Sequence, residues 1–390
     1  MARKTKKNSN IKTAYKFLAY PNSKQKEIFA KTFGCCRKLW NVMLDDHNFY
    51  YKQMGEYLYV TPADYKELDE YSYLNEVDSL ALANVQMNLD LAFTNFFNKK
   101  SKYPKFKSKN KRQSYTTNYV NNNIRLEEVN NKTYIKLPKA GLVEINKHRN
   151  IKPGKIKNVT VSMETNGNYY ISIMVETNTS IPDKINVIQK DKINALDYKS
   201  DGLYQDKVGV CNMPKYYKDA QKKLKRQQRC LSKKQKGSNN YNKQKKKLSK
   251  CHKHIANQRL DFLHKDSTKI TNLYDIVIVE DINLKTISSS KSKYKLGKAT
   301  CDNGYGIYLS MLNYKLERKG GLLIKADKYF ASSQICSNCG YKNTKVKDLS
   351  IREWTCPECG TVHNRDKNAV NNLYNYGIDY ITNKLKLDIV

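Results

Sequence analysis

Four cysteines in two tight pairs are the plainest chemical signal in the chain. Cys336 and Cys339 form one CxxC and Cys356 and Cys359 another, with sixteen residues between the pairs. Each CxxC can wrap two thiolates onto one metal ion, and two such turns complete a tetrahedron, so the spacing predicts a Zn²⁺ site. Gly340 and Gly360 directly follow the second cysteine of each pair, where a tight turn favours a residue without a Cβ. Four thiolates close the coordination sphere, so the site is read as structural. His363 is near in sequence but surplus to a four-coordinate ion, and it is not expected as a ligand. A redox role for either pair is the weaker reading, because two pairs at this separation favour zinc.

Three acids stand out by context. Asp197 ends the short run from Ile193, Glu280 ends the apolar run from Ile276, and Asp366 opens the last helical segment. Carboxylates at strand ends and at a helix start can converge on one rim of a sheet. Clustered carboxylates repel unless cations lie between them, so such a set implies Mg²⁺ or Mn²⁺. Two ions about 4 Å apart can activate a water and stabilise the leaving oxygen of a phosphodiester. Taken singly, each acid is equally well a turn residue or a helix cap. Asp201, Asp206, Asp281 and Asp327 are rivals that the pattern leaves open.

The elements that must carry these residues follow from periodicity. Residues 11–19 read as a strand. Asn22 or Ser23 then caps a helix whose Phe29, Phe33, Cys36, Trp40 and Met43 share one face. A second helix runs over about 80–97. Directly after it, residues 99–112 hold eight Lys or Arg among fourteen, interleaved with Tyr103 and Phe106, a pattern that suits nucleic acid. Residues 124–178 are β-rich, and Asn166-Gly167 predicts a type I′ hairpin turn. A linker over 177–183 places a domain boundary near 185. Residues 215–253 carry sixteen Lys or Arg against the single acid Asp219 and read as two helices joined by a turn at 237–240. Such a charge density repels itself unless an anion lies alongside. Residues 275–282 suit a central, doubly covered strand. A helix over 308–318, a strand over 322–325 and a last helix over 366 to about 387 complete the pattern.

Composition sets the partner class. The chain has 390 residues with 72 Lys+Arg against 36 Asp+Glu, a formal charge of +36. That charge calls for a polyanion, and nucleic acid is the leading one. No apolar run is long enough to span a bilayer. The basic start has no apolar segment behind it, so a secretory signal is not expected. The other six cysteines are scattered, which does not suit a disulfide framework, and a cytoplasmic location is expected.

The motifs in their order resemble those of the TnpB family, transposon-encoded RNA-guided DNA endonucleases related to type V CRISPR effectors. The resemblance covers nearly the whole chain. Residues 15–21 and 33–41 are similar to the family's opening, and 93–97 with 103–108 to its recognition-lobe signature. Residues 196–204 look like the first RuvC motif, 277–281 like the second with 259–265 matching the segment just before it, and 332–340, 356–360 and 364–369 the zinc ribbon and third RuvC motif. The resemblance implies that Asp197, Glu280 and Asp366 hold catalytic Mg²⁺ or Mn²⁺, and that Cys336, Cys339, Cys356 and Cys359 hold structural Zn²⁺. It implies an RNase H-like α/β nuclease domain over 186–335 and 361–390, with a basic helical hairpin (214–270) and a zinc ribbon (336–360) inserted. Before it would come a β-barrel wedge domain (1–20 and 115–185) interrupted by a helical recognition domain (21–114). The implied partners are a guide RNA from the element's end and double-stranded target DNA beside a short flanking motif, in a prokaryotic cytoplasm and without a membrane. A monomer is expected. The family usually has Gly at Ala195 and Asp at Asn364; neither difference removes a metal ligand. A catalytically silent RNA-guided repressor, a strand-transfer transposase and a guide-free zinc protein are the rival functions. All three acids are retained, which argues against the repressor.

Overall fold

The computed structural model describes residues 10–289 and 297–390 apart from 111, 181, 184 and 186. Positions 1–9 of the expected first wedge segment, and Lys111 of the basic loop, therefore lie outside the described residues. The chain divides into two compact units, Met1–Ser180 and Ile181–Val390.

The first unit joins one sheet to a group of helices. Strand β1 (Asn10–Tyr20) leads into α1 (Ser23–Met54). Asn22 caps α1 through a reciprocal box with Gln25, and Gly55 ends it at φ +72°. This is why one helix runs unbroken for 32 residues. Its stripe of Phe29, Phe33, Cys36, Trp40 and Met43 is buried, each large side chain contributing about 2 kcal/mol. The short α2 (Pro62–Lys66) and the longer α3 (Ser79–Phe97) follow. Strands β2 (Gln113–Asn118), β3 (Arg125–Val129), β4 (Lys132–Leu137), β5 (Gly141–Asn146), β6 (Gly154–Met163) and β7 (Tyr169–Ser180) complete the unit.

The seven strands form an antiparallel ladder in the order β2-β6-β7-β1-β5-β4-β3. Among the described residues β2 and β3 are its two ends and do not pair, so this is a seven-stranded ladder and not the closed hydrogen-bond circuit that the expected barrel calls for. The β6–β7 turn also departs from expectation. Gly167 alone in it has a positive φ (+87°), and its N–H donates to the Glu164 carbonyl at 2.9 Å. A type I′ turn needs positive φ at both central residues. This one is instead a three-residue loop with a glycine bulge, and Asn166 uses its side chain to accept from the Asn168 N–H at 2.8 Å.

The second unit is layered. Strands β8 (Val187–Ile188), β9 (Ile193–Tyr198), β10 (Tyr204–Gln205) and β11 (Val210–Cys211) precede helices α4 (Tyr216–Ser232) and α5 (Asn239–Leu273). Then come β12 (Ile276–Val279), α6 (Leu284–Ser288), α7 (Gly297–Asn303), α8 (Tyr305–Glu317) and β13 (Leu322–Lys325). Strands β14 (Glu353–Thr355) and β15 (Val362–Asn364), helix α9 (Arg365–Asp379) and β16 (Asp388–Ile389) finish the chain. A wider π turn over Tyr380–Leu385 shortens the last α-helix relative to the sequence pattern. The main sheet has the order β11-β10-β9-β12-β13, with β9, β12 and β13 parallel and the first two strands antiparallel.

All four residues of β12 are buried. Val277 and Val279 join Leu263, Ile270, Tyr308 and Leu312 of α5 and α8 on one face. Ile276 and Ile278 join Val370 and Leu373 of α9 on the other. A strand covered on both faces cannot alternate polar with apolar, which explains the unbroken apolar run. Helix α9 lies unusually close to the sheet at Gly377, where a Cβ would meet Ile278 Cγ1 at 2.3 Å.

Candidate active site and metal centre

The main sheet carries two of the three acids to one place. Leu196 of β9 pairs with Val279 of β12 in parallel register. Asp197 and Glu280 are each the next residue, so they leave neighbouring strands at the same level. Asp366 lies in the first turn of α9, the helix packed on the opposite side of β9 and β12 from α8. Asn364 caps that helix by accepting from the Lys367 N–H at 3.2 Å. The departure at Asn364 thus concerns a helix cap, a role in which Asn and Asp are equivalent. Ala195 is buried on β9 against the α9 face.

The electrostatics tie the three acids together. Burial, and then the negative charges of Glu280 and Asp366, push the Asp197 carboxyl well above the usual range, against the opposing pull of Lys199 and Arg365. Burial raises Glu280 as well, against a hydrogen bond from the Ser332 hydroxyl. Lys199 Nζ holds Asp366 Oδ2 at 2.8 Å, and Arg352 Nη1 lies 3.6 Å from the other oxygen. Among the described residues the three carboxylates are not drawn within 4.8 Å of one another, a spacing met only by the four cysteines. Carboxylates on a single Mg²⁺ would lie within about 4 Å of each other, whereas a pair of ions about 4 Å apart spans a wider set. Among the described residues the fully buried Tyr305 hydroxyl has no partner, and its own proton is held by burial and by the charges of Glu280 and Asp197. Two buried acids, one of them raised further by the charge of its neighbours, beside an orphaned hydroxyl are a donor set that fits bound divalent cations.

Two of the rival acids have other employment. Asp206 accepts from the Val208 and Gly209 N–H groups at 2.9 and 3.0 Å and so builds a turn. Asp281 pairs with Lys325 at 3.5 Å on the surface. Asp327 accepts the Phe330 N–H through its carbonyl, and Asp201 lines a separate cavity. Sequence reasoning did not single out Lys199, Ser332 or Tyr305 as individual site residues. Only Lys199 carries a local signal, lying two residues beyond Asp197 at strand spacing.

The four cysteine sulfurs lie within 4.8 Å of one another. Cys336 and Cys359 are 3.7 Å apart and Cys339 and Cys356 3.6 Å. In each knuckle the glycine has a positive φ (+80° at Gly340, +68° at Gly360) and its N–H reaches back to the first cysteine's carbonyl at 2.9 Å. His363 stays outside this group. Its Nε2 is 3.0 Å from Cys336 Sγ, and its ring packs on Trp354 with 4.8 Å between centroids. The closed thiolate set fits a structural zinc ion, with His363 placed to donate to one thiolate.

The zinc segment is also fastened to the helix that carries Asp366. Asn368 Nδ2 donates to the Ile335 carbonyl at 2.7 Å, and its Oδ1 accepts from the Ser337 N–H at 3.0 Å. Asn372 donates to the Ser332 carbonyl at 2.7 Å. The buried Arg365 donates to the Asp348 carbonyl at 2.5 Å.

Two basic surfaces accompany these sites. On α4 and its C-cap, Lys222, Lys225, Arg226, Arg229 and Lys233 recur at helical spacing and line one concavity. Among the described residues none of the five enters an ion pair. Residues 99–110 are anchored along α1: Trp40 Nε1 donates to the Lys105 carbonyl at 3.0 Å, and Lys107 Nζ lies 3.6 Å over the Trp40 ring. Tyr103 and Phe106 remain exposed.

Family descriptions match at residues 305–373 ("Cas12f1-like, TNB domain"), 200–291 ("Probable transposase") and 9–56 ("Helix-turn-helix domain"). The last region is here one strand and one continuous helix. A Streptomyces pristinaespiralis protein named "Putative RNA-guided DNA endonuclease" is 32% identical over 94% of this chain and 90% of its own length. The Escherichia coli K12 protein "Putative RNA-guided DNA endonuclease InsQ" is 29% identical over 92% of this chain and 91% of its own. Among solved structures, a Cas12f1 chain from a complex with sgRNA and target DNA has a TM-score of 0.58 at 12% identity, covering 94% of this chain and 99% of that one. The fold is therefore that of Cas12-like effectors. The chain belongs to the TnpB family.

Proposed function

We propose that this protein is a transposon-encoded, RNA-guided DNA endonuclease that cuts by divalent-metal-dependent hydrolysis at Asp197, Glu280 and Asp366. The observation that carries the reading is the register of β9 and β12, which sends Asp197 and Glu280 out at one level of the sheet while Asp366 acts on Asp197 from α9. The strand order, antiparallel at β11-β10-β9 and parallel through β12 and β13, supports an RNase H-like nuclease core. Relatives over nine-tenths of the chain carry the endonuclease name.

Asp197, Glu280 and Asp366 would hold Mg²⁺ or Mn²⁺. When bound, such ions supply water activation and charge neutralisation on the leaving oxygen. The chain's own residues orient the acids. Lys199 fixes one oxygen of Asp366, the Ser332 hydroxyl fixes Glu280, and the Asn364 cap sets the first turn of α9. Cys336, Cys339, Cys356 and Cys359 would hold zinc as a staple. The α4 stripe and residues 99–110 would bind nucleic-acid backbone, while pairing of the guide RNA with one DNA strand supplies sequence choice.

The test is to express the chain with its native flanking DNA, sequence the RNA that co-purifies, and assay plasmids matched to that RNA. Guided cutting that needs Mg²⁺ and is lost in Asp197→Ala is expected. A bound RNA that directs no cutting would favour a repressor, and joining of DNA ends would favour a transposase.

A further inference from the structure

Beside the acids the nuclease unit contains a cavity of about 300 Å³ that the cleavage chemistry does not use. Its walls begin at Ser200, directly after the lysine that grips Asp366. A chain advances at most about 3.5 Å per residue, so the Ser200 and Asp197 Cα atoms are within about 11 Å of each other. That is the reach of about one to three nucleotides of a single strand.

The lining has two characters. Met213, Pro214, Ala299 and the Tyr217 ring make an apolar wall, and Lys215, Lys218 and Lys298 stand around it. The frame is rigid. Both Asp302 oxygens accept from the Tyr217 N–H, at 3.1 and 3.2 Å, and Arg259 pairs with the same carboxylate at 2.9 Å. Asn303 ties the floor to β9, donating to the Tyr198 hydroxyl at 3.2 Å. With Asp302 neutralised by Arg259, the lysines dominate the local charge despite Asp201. A mostly apolar cavity lined by a tyrosine and three lysines, close in the chain to Asp197, suits a nucleotide: base against the tyrosine, phosphates on the lysines.

We propose that this cavity receives one unstacked base of the DNA strand being cut, with Tyr217 as the stacking surface, and so sets where along the strand the scissile phosphate stops. Tyr217 is a positioning residue: it acts on the base and does not touch the reacting phosphate. The inference rests on the nuclease reading above.

The test has two independent arms. In the first, the protein with its guide RNA is given targets in which a single abasic nucleotide is walked across the cut region. One abasic position within three nucleotides of the cut should slow cleavage about tenfold, the range of one base–aromatic stack. Tyr217→Ala should slow the intact target about as much and be indifferent to that abasic position, whereas Tyr217→Phe should cleave at the wild-type rate. In the second arm, a single-stranded oligonucleotide carrying 5-iodouracil is photocrosslinked to the protein–RNA complex and the attached residue is identified by mass spectrometry. Crosslinking at Tyr217 supports the pocket even in a protein that does not cut, in which case the nuclease reading alone fails. A flat abasic profile in an active complex, or crosslinks confined to residues outside this cavity, overturns the pocket and leaves the nuclease reading standing.

Discussion

At the scale of single residues, two of the three acids carry their charge at a cost. Asp197 and Glu280 have carboxyls raised by burial, Asp197 also by its neighbours' charge. A group whose folded pKa lies above its unfolded value contributes stability at low pH and loses that contribution as pH rises through the folded value. In EDTA, Asp197→Asn should therefore be more stable than the wild type once the carboxyl is ionised. The gap should widen as pH rises and close when Mg²⁺ is added. Thermal melts of both proteins with and without Mg²⁺ check this; a gap that ignores pH and Mg²⁺ would remove Asp197 from the cation site. The trio itself was legible because each acid ends or opens a recognisable element. Lys199, Ser332 and Tyr305 reach the site through contacts made only when distant segments meet, and their types are common everywhere else in the chain.

At the scale of elements, placement depends on how closely α9 approaches the sheet. A methyl group at Gly377 would overlap Ile278 Cγ1 and Cδ1. Gly377→Ala should cost about 1–3 kcal/mol and lower cleavage, because α9 carries Asp366. Ile278→Ala should relieve part of that cost, so the double variant should be more stable than the sum of the single effects. Strict additivity in denaturant melts would mean that the helix does not press on the strand there. Cys339→Ser should lose zinc content and stability together, and hydrogen exchange at the start of α9 should quicken, since Asn368 and Asn372 hang on the zinc segment's carbonyls. Full zinc occupancy in that variant would count against the four-cysteine site. Element type was largely readable from periodicity, including the two basic helices and the covered strand. The β6–β7 turn was not, because an Asn-Gly pair serves both a two-residue turn and a three-residue loop, and strand register decides between them. Gly377 gave no warning either: its reason is a neighbour nearly a hundred positions away.

At the scale of the whole molecule, the charge of +36 is a prediction about salt. Each phosphate contact removed should lower the slope of log affinity against log salt by about 1. Lys225→Ala with Arg229→Ala should flatten it by about 2 without changing which target is cut, measured by filter binding from 50 to 300 mM salt. An unchanged slope would reduce the α4 stripe to a solvated face. Among the described residues no helix is long and apolar enough to cross a membrane.

Strand β15 ends at Asn364 and α9 begins at Arg365, with no spacer between ribbon and helix. Adding or deleting one residue at that splice would turn the helix by about 100° relative to the hairpin, swinging Asp366 away from Asp197 while leaving all four cysteines in place. Ribbon grafts between relatives should accordingly tolerate altered lengths between the two knuckles far better than at this junction.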